Sequence, residues 1–189
     1  MIHRQRKPNR LRNFDYSLSG YYFVTICTKN RQKYFGDIID NKMILNNYGE
    51  IIKKYWLEIP KHFNNVELDE FVVMPNHVHG IIIIESNNNV VGVSFMKPEI
   101  KMAIAKSNRH MVLMNQKTGL INQTPTLGLI IRYFKSKCTY EIHKNGFNNK
   151  LWQRNYYEHI IRTEYSLFKI RQYIRDNPKN WGEDRNNIK

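Results

Sequence analysis

The segment Phe71-Val-Val-Met-Pro-Asn-His-Val-His-Gly-Ile-Ile-Ile-Ile84 decides the fold of this chain. Valine and isoleucine are typical of strands, and the Pro75-Asn76 pair that interrupts them is typical of a tight turn. The segment therefore predicts two strands that meet at this turn, with the second strand beginning near His77. Because side chains alternate between the two faces of a strand, His77 and His79 are expected on the same face.

The second predicted strand is apolar on both of its faces. A strand of this kind is typical of the centre of a sheet that is covered on each side. The face of the histidines is expected to continue into the interior with Ile81 and Ile83. The opposite face is expected to carry Val78, Ile82 and Ile84.

Two histidines on one face of a strand indicate a shared metal ion. From the rise per residue their side chains are roughly 6 to 7 Å apart, a distance that one ion can bridge. The alternative is a hydrogen-bonded core histidine beside a surface histidine, and the pattern leaves both open. Zinc would need further ligands nearby, and Cys27 and Cys138 are far apart without paired spacing. We therefore expect Mg²⁺ or Mn²⁺, completed by an amide or carboxylate oxygen.

The length and charge of the chain indicate a single domain with a polyanionic partner. Its 189 residues are 41% hydrophobic, which is ordinary for one globular domain. Its 30 lysines and arginines exceed its 16 acidic residues by 14, a surplus typical of nucleic-acid binding. A membrane partner is disfavoured because neither end carries a basic amphipathic helix or a lipidation motif. Two cysteines without a disulfide pattern and the lack of a signal core predict a cytoplasmic, nucleoid-associated protein.

Two segments lack the periodicity of helices or strands. Residues 1–13 are basic and nearly free of apolar side chains, so we expect a flexible arm that contacts phosphates, with a merely solvated tail as the alternative. The basic side chains of this arm are Arg4, Arg6, Lys7, Arg10 and Arg12. Residues 86–123 are rich in asparagine with scattered lysine and methionine, which predicts an insertion or mobile loop within the domain.

The remaining segments predict further strands and three helices. The predicted strands are Tyr21–Thr28 and Val66–Val73, with a short hairpin through Lys42–Leu45 and a strand or extended segment at Leu151–Tyr157. The predicted helices are Tyr48–Ile59, Leu127–Ile142 and a helix that Thr163 caps and that runs to Asp176 or Asn177. The polar face of the second helix carries a basic stripe of the kind that follows a nucleic-acid backbone, namely Arg132, Lys135 and Lys137.

The last predicted helix places two polar side chains together. Tyr173 and Asn177 are four residues apart, so they lie on one helical face and their hydroxyl and amide groups project together. Pro178 follows directly and disfavours the helical conformation at Asn177. The pair is therefore a candidate functional site.

Several short motifs, taken in order, resemble those of a known family. They are Tyr16-Ser with Gly20-Tyr-Tyr-Phe-Val-Thr, then His77-Val-His79 after Met-Pro-Asn, then Trp152-Gln153 with Glu158-His159 and Arg162, and finally Tyr173-Ile with Asn177-Pro178. The family is the single-tyrosine HUH transposases, and in particular their REP-associated (repetitive extragenic palindrome) branch. The resemblance extends from about Asp15 to Trp181, apart from residues 86–123.

The resemblance implies a ferredoxin-like α+β fold, an antiparallel sheet with helices packed on one face. It also implies that His77 and His79 are metal ligands, that Tyr173 is the nucleophile, and that Asn177 is the third protein ligand. Relatives often have glutamine at that last position, so the asparagine departs from the family pattern.

The implied activity is cleavage and rejoining of single-stranded or hairpin DNA. A tyrosine would attack a phosphate with the help of Mg²⁺ or Mn²⁺ and form a 5′-phosphotyrosine intermediate, with Tyr156 or Tyr157 as the rival nucleophile. The side chains expected to bind DNA together with the basic arm are Arg132, Lys135, Arg154 and Arg162. Two other classes stay open, a metal-dependent nuclease that uses water and a domesticated nucleic-acid-binding module. The sequence also leaves open whether the protein acts as a monomer or a homodimer.

Overall fold

The computed structural model describes residues 14–85 and 125–187. The predicted basic arm with Arg4, Arg6, Lys7, Arg10 and Arg12 lies outside the described residues, and so does the predicted insertion at 86–123. Within the two described ranges, no helix combines the length and the apolar character needed to cross a membrane.

The described chain forms an α+β structure around one main sheet. Its elements are β1 (Gly20–Cys27), β2 (Gly36–Ile39), β3 (Lys42–Leu45), α1 (Asn47–Leu57), α2 (Ile59–His62), β4 (Val66–Met74), β5 (His77–Ile84), α3 (Leu127–Lys144), β6 (Tyr157–Ile161) and α4 (Glu164–Asp176). Strands β4, β5, β1 and β6 form, in this order, an antiparallel sheet, and β2 pairs with β3 in a separate hairpin. This arrangement confirms the predicted ferredoxin-like α+β class.

Strand β5 lies inside this sheet, as its sequence predicts. Every residue from His77 to Ile84 is buried, and the strand pairs with β4 on one side and with β1 on the other. Ile81 and Ile83, on the face of the histidines, belong to an apolar cluster with residues of α4. The apolar residues of the opposite face belong to a separate and larger cluster, so the predicted covering of both faces is confirmed.

The face opposite the histidines holds the larger apolar core. Helices α1, α2 and α3 cover it, and their buried side chains meet Val78, Ile82 and Ile84 of β5. Trp56 of α1 is fully buried and lies against Gly80, where an added Cβ would come within 2.2 Å of the indole ring. Glycine at this position therefore lets the large ring approach the strand backbone.

Helix α4 packs on the histidine face, opposite α1, α2 and α3, and carries the predicted nucleophile. The sheet therefore carries helices on both faces, whereas the sequence predicts them on one, because the apolar residues of α4 cover Ile81 and Ile83. Thr163 caps its first turn with its side chain, as predicted, and Leu167 and Ile174 are buried in the apolar cluster of this face. At the other end Asn177 keeps helical angles (φ −58°, ψ −43°) although a proline follows. Its side chain therefore stays on the helical face that carries Tyr173.

The fourth strand of the sheet lies later in the chain than the sequence predicts. Leu151 and Trp152 are buried, and Trp152 forms an isolated bridge to Thr28. The chain then turns at Asn155, whose φ of 65° is left-handed, and the regular strand that pairs with β1 begins at Tyr157. Strand propensity identifies an extended segment here, but it does not locate the turn, because asparagine only tolerates the left-handed conformation and does not require it.

Candidate metal and nucleophile site

His77 and His79 lie at the start of β5 with their rings close together. Both residues are buried, and their ring centroids are 4.4 Å apart. The Nδ1 atom of each ring binds a neighbouring side chain, Asn76 for His77 and Thr25 for His79. The Nε2 atom of His77 faces Asp184, and that of His79 faces Tyr173. The prediction that the two side chains share one face is therefore confirmed.

The tautomer of His77 follows from its hydrogen bond with Asn76. The Asn76 amide nitrogen donates to the carbonyl oxygens of Arg31 and Asn186, at 2.9 Å and 2.7 Å. Its Oδ1 atom is therefore the acceptor in the 2.8 Å contact with His77 Nδ1, so His77 carries its proton on that nitrogen. The Nε2 atom of His77 is left with a lone pair, which is the form in which a histidine binds a metal.

Asp184 places a carboxylate oxygen beside this lone pair. Its Oδ2 atom lies 3.7 Å from His77 Nε2, and the aspartate side chain is only 3% exposed. Burial lowers the pKa of His77 to about 4, although Asp184 opposes this effect, so the imidazole is neutral at physiological pH and the contact is not an ion pair. Both atoms are buried, and neither has a hydrogen-bond partner among the described residues.

The histidines and this aspartate fit a divalent cation. His77, His79 and Asp184 each offer one ligand atom, and these atoms all lie within 4.8 Å of one another. A buried imidazole lone pair and a buried carboxylate oxygen without partners are costly unless a cation satisfies them. The mixed nitrogen and oxygen set is compatible with Mn²⁺ or Mg²⁺, and the identity of the ion stays a prediction.

Helix α4 brings Tyr173 to the second histidine. His79 Nδ1 is 2.8 Å from the hydroxyl of Thr25, and His79 Nε2 is 3.2 Å from the hydroxyl of Tyr173. The tyrosine is 44% exposed, whereas His79 is 1% exposed. The Tyr173 hydroxyl therefore lies at the boundary between the buried histidines and solvent.

Asn177 lies beside this tyrosine, one helical turn later. It is 3% exposed, and its Oδ1 atom is buried without a hydrogen-bond partner in the described part of the chain. Burial raises the pKa of Tyr173 and the charge of Asp184 adds to this rise, whereas a hydrogen bond from Asn177 and the charge of Arg185 lower it. Asn177 is thus a neighbour that lowers the pKa of the tyrosine, and its role as a metal ligand stays a prediction.

These groups meet in an open pocket of about 590 Å³. Strands β1, β5 and β6 contribute Phe23, Thr25, His79 and Tyr157, and α4 with the segment after it contributes Tyr173, Asn177, Asn180, Glu183, Asp184 and Arg185. The pocket therefore joins the predicted tyrosine, amide and second histidine to Tyr157, the rival nucleophile, and to residues that the sequence does not predict.

Asp184 and Arg185 are site residues that the sequence does not predict. They follow a short 3₁₀ turn at Trp181–Glu183, and the Trp181 ring lies 6.0 Å from that of His77. Arg31 donates to the carbonyl oxygen of Arg185 at 2.8 Å, which holds the segment against the sheet. The available sequence signal for Asp184 is that an acidic residue follows shortly after the tyrosine helix in a basic chain. This signal does not distinguish Asp184 from its acidic neighbours.

The predicted DNA contacts on the described residues differ in exposure. Arg132, Arg154 and Arg162 are exposed, as DNA contacts require. Lys135 is half-buried, and its Nζ atom donates to the carbonyl oxygens of residues 153 and 155, at 2.7 Å and 3.0 Å. The predicted basic stripe on α3 is therefore interrupted at Lys135, because the segment before β6 covers this part of the helix.

The two rival nucleophiles also differ. Tyr157 is 47% exposed and lines the pocket with Tyr173. Tyr156 is partly buried and packs against the apolar core on the other face. The contact between a tyrosine hydroxyl and His79 is made by Tyr173.

Comparison with known proteins gives relatives in sequence and in fold. No protein-family model matches the chain. An uncharacterized protein of Haemophilus influenzae is 40% identical over 179 residues, which are 95% of this chain and 91% of that protein. A second Haemophilus influenzae protein, named "Putative REP-associated tyrosine transposase", is 21% identical over 170 residues, which are 89% of this chain and 75% of that protein.

A solved structure has the same fold. It is the structure of a REP-associated tyrosine transposase bound to a REP hairpin, and it matches with a TM-score of 0.56 and 16% sequence identity over 92% of this chain and 74% of that chain. The fold of the described chain is therefore that of a REP-associated tyrosine transposase. The chain belongs to the same family as the uncharacterized Haemophilus influenzae protein, and in sequence and fold it resembles the REP-associated tyrosine transposases, as its motifs predict.

Proposed function

We propose that the protein is a transposase of the tyrosine type, which cleaves and rejoins single-stranded or hairpin DNA with the help of a divalent cation. The solved relative that shares its fold is bound to a REP hairpin, and a net charge of +14 fits a polyanionic substrate. The observation that carries the proposal is the 3.2 Å contact between the Tyr173 hydroxyl and His79 Nε2, beside the cluster that fits a cation.

His77, His79 and Asp184 would hold the cation, and the Asn177 amide is a further candidate ligand. The cation, when bound, supplies positive charge that polarises the scissile phosphate and stabilises the charge developing on it. The hydrogen-bond partners of the two Nδ1 atoms orient the imidazole rings for metal binding before any ligand arrives.

Tyr173 would be the nucleophile. Its hydroxyl oxygen forms a bond to phosphorus while the bond from phosphorus to the 3′ oxygen of the preceding nucleotide breaks. The phenol loses a proton and the leaving 3′ oxygen gains one, so the products are a 5′-phosphotyrosine and a free 3′ hydroxyl. Because the phosphodiester is replaced by another phosphodiester, a DNA 3′ hydroxyl can reverse the step and join strands without a nucleotide cofactor.

Two neighbours would assist this tyrosine. A phenol with its ordinary pKa near 10 is neutral at physiological pH and is a weak nucleophile. Burial raises the pKa of Tyr173 further, so the reaction requires groups that stabilise the developing negative charge on the phenol oxygen. The Asn177 amide and the positive charge of the Arg185 guanidinium both lower the pKa of Tyr173, so both would stabilise this charge.

The experiment that tests the proposal uses Tyr173→Phe. The wild-type protein is incubated with a labelled hairpin oligonucleotide and Mn²⁺, cleavage is followed on a denaturing gel, and adducts are located by peptide mass spectrometry. We expect a nucleotide adduct on Tyr173 in the wild type, and neither adduct nor cleavage in the variant. DNA affinity should change by less than about 1.5 kcal/mol, because the substitution removes at most one ordinary hydrogen bond.

Tyr165→Phe is the matched control. Tyr165 lies on the same helix and is 72% exposed, so its variant should cleave at the wild-type rate. An adduct on Tyr156 or Tyr157 would reassign the nucleophile. Cleavage with no adduct on any tyrosine would identify a nuclease that uses water, and binding without cleavage would identify a nucleic-acid-binding module.

A further inference from the structure

A second pocket, of about 190 Å³, adjoins the pocket of the tyrosine. Both pockets are lined by Thr25, Tyr157 and Arg185. A DNA strand that crosses the first pocket can therefore extend directly into the second. The second pocket lies between the end of β1 and the segment 153–156, which precedes β6.

The lining of this second pocket combines positive charge with amide groups. Its guanidinium groups are those of Arg31, Arg154 and Arg185, and its amides are those of Gln153, Asn155 and Asn186. Asn186 is 3% exposed, and its side-chain nitrogen is buried without a hydrogen-bond partner among the residues that the structure describes. A buried donor without an acceptor is costly, so an acceptor atom of a ligand would be stabilising at this place.

The walls of the pocket are fixed by the rest of the protein. Lys135 donates to the carbonyl oxygens of Gln153 and Asn155, at 2.7 Å and 3.0 Å, which holds the left-handed turn at Asn155. Arg31 donates to the carbonyl oxygen of Arg185 at 2.8 Å on the opposite side. The pocket is therefore formed before a ligand arrives, which lowers the entropic cost of binding.

Tyr157 offers a flat surface where the two pockets meet. Its ring is 47% exposed and contacts Phe23 edge-on, with centroids 6.4 Å apart. The Arg185 guanidinium lies 5.5 Å from the centroid of the Tyr157 ring. An exposed aromatic ring beside a guanidinium group is typical of sites where an unpaired base stacks.

We propose that the second pocket binds the base of one unpaired nucleotide next to the scissile phosphate, and that the Asn186 amide reads this base. The inference rests on the proposed function, because it requires the DNA strand to cross the pocket of Tyr173. The pocket volume of 190 Å³ favours one base, since pockets for whole drug-sized ligands are roughly 300–1,000 Å³. Amide side chains discriminate base edges by hydrogen bonds, and the arginines at the pocket can hold the flanking phosphates.

The test uses a fluorescently labelled DNA hairpin with four randomised nucleotides in its single-stranded flank. Binding is measured with the Tyr173→Phe protein, so that cleavage does not enter the readout, and the bound fraction is sequenced. We expect one flank position with a base preference of at least about fivefold, as for a hydrogen-bonded base contact. In Asn186→Ala this preference should fall below about twofold while the other positions keep theirs.

Two further measurements test the pocket without relying on the folding of Asn186→Ala. An abasic nucleotide at the preferred position should weaken binding to the Tyr173→Phe protein at least about fivefold, because stacking on the pocket is lost. Lys53→Ala removes a positive charge on the exposed face of α1 and should leave the preference unchanged.

The outcomes separate the two proposals. A flank without base preference, or a preference that survives in folded Asn186→Ala, overturns the assignment of the second pocket while the proposed function stands. A Tyr173→Phe protein that binds no hairpin of the library overturns the proposed function and the assignment of the pocket with it.

Discussion

The two faces of strand β5 are equally buried but are held by different interactions. On one face Val78, Ile82 and Ile84 pack beneath α1 and α3 in a large apolar cluster. On the other face the strand begins with two histidines and continues with Ile81 and Ile83 in a smaller cluster beneath α4. Adjacent residues of one strand therefore contribute to two different environments.

The difference shows where stability and chemistry come from. Apolar packing requires volume and shape, and a fully buried aliphatic side chain contributes roughly 1.5–3 kcal/mol. The histidine face depends on directional bonds, since each Nδ1 atom has a specific partner. His77 Nε2 and Asp184 Oδ2 have no such partner among the described residues, and buried atoms of this kind are destabilising. The apolar face must therefore stabilise a site that by itself lowers stability.

His79→Ala should give the largest effect, because it removes a ligand atom from the proposed metal cluster. Since a catalytic metal contributes several kcal/mol of charge stabilisation, cleavage should fall by at least about 10³-fold. The affinity for Mn²⁺, measured by titration calorimetry, should fall as well. Hairpin affinity should change little, because binding depends mainly on basic contacts to phosphates.

Val78→Ala is the matched control, one residue earlier and on the opposite face. Val78 is fully buried in the apolar cluster, so its truncation should lower the free energy of unfolding by about 2 kcal/mol. Its affinity for Mn²⁺ should equal that of the wild type. If Val78→Ala loses the metal as His79→Ala does, the two faces are not independent.

Gly80→Ala tests the packing of the apolar face alone. The new methyl group would lie 2.2 Å from Cζ2 of Trp56, so the ring would have to move within a dense core. Overpacking of this kind typically costs about 1–3 kcal/mol, which urea unfolding with an unchanged slope would measure. Mn²⁺ affinity should be retained. A variant as stable as the wild type would mean that Trp56 has room to move.

The features that the sequence predicts correctly are local ones. The alternation along β5 and the Pro75-Asn76 turn depend on neighbouring residues, and so does the placement of Tyr173 and Asn177 on one helical face. Periodicity therefore suffices to assign both faces of the strand and the tyrosine helix.

The features that the sequence misses depend on contacts between distant segments. Asp184 reaches the histidines because Asn76 and Arg31 bind the backbone of the residues that follow it. The basic stripe of α3 fails at Lys135 for the same reason, since helical periodicity gives the direction of a side chain but not the segment that covers it. Neither contact leaves a pattern in the local sequence.

The attachment of α4 to the sheet gives a smaller effect, which concerns the histidine face alone. The register of β4 shifts between Leu68 and Phe71, and Asp69 in this irregular stretch binds the Arg171 guanidinium through both carboxylate oxygens. Tyr173 lies two residues after Arg171 on the same helix. Asp69 is therefore placed to fix the orientation of the tyrosine.

Asp69→Asn should lower the free energy of unfolding by about 1 kcal/mol, the upper range for partly exposed ion pairs. The rate of phosphotyrosine formation should fall more than DNA affinity does, because the tyrosine helix is less well fixed. Glu70→Gln is the control, since its partner Arg175 is 54% exposed, and it should cost less than about 0.5 kcal/mol. Equal losses of rate in the two variants would contradict a specific role of Asp69.

The smallest expected effect concerns Lys135, on a helix that covers the apolar face. Burial lowers the pKa of Lys135 from 10.5 to about 8, with Cys27 opposing this effect and Lys150 adding to it. Below about pH 8 the side chain is charged in both the folded and the unfolded chain, so the cost of burying the charge is fully present. Between about pH 8 and 10.5 the folded protein loses this proton while the unfolded chain keeps it, and stability should rise.

Lys135→Met should remove this rise, and urea midpoints measured from about pH 7.5 to about pH 9.5 would show it. The quantity to compare is the difference in slope between the variant and the wild type, because the contributions of all other groups cancel in it. Lys137→Met, at an exposed position of the same helix, should keep the wild-type slope. A wild-type slope equal to that of Lys135→Met would mean that the bonds to the carbonyl oxygens of Gln153 and Asn155 keep the ammonium charged. The segment beside the site would then be held by a charged group throughout this range.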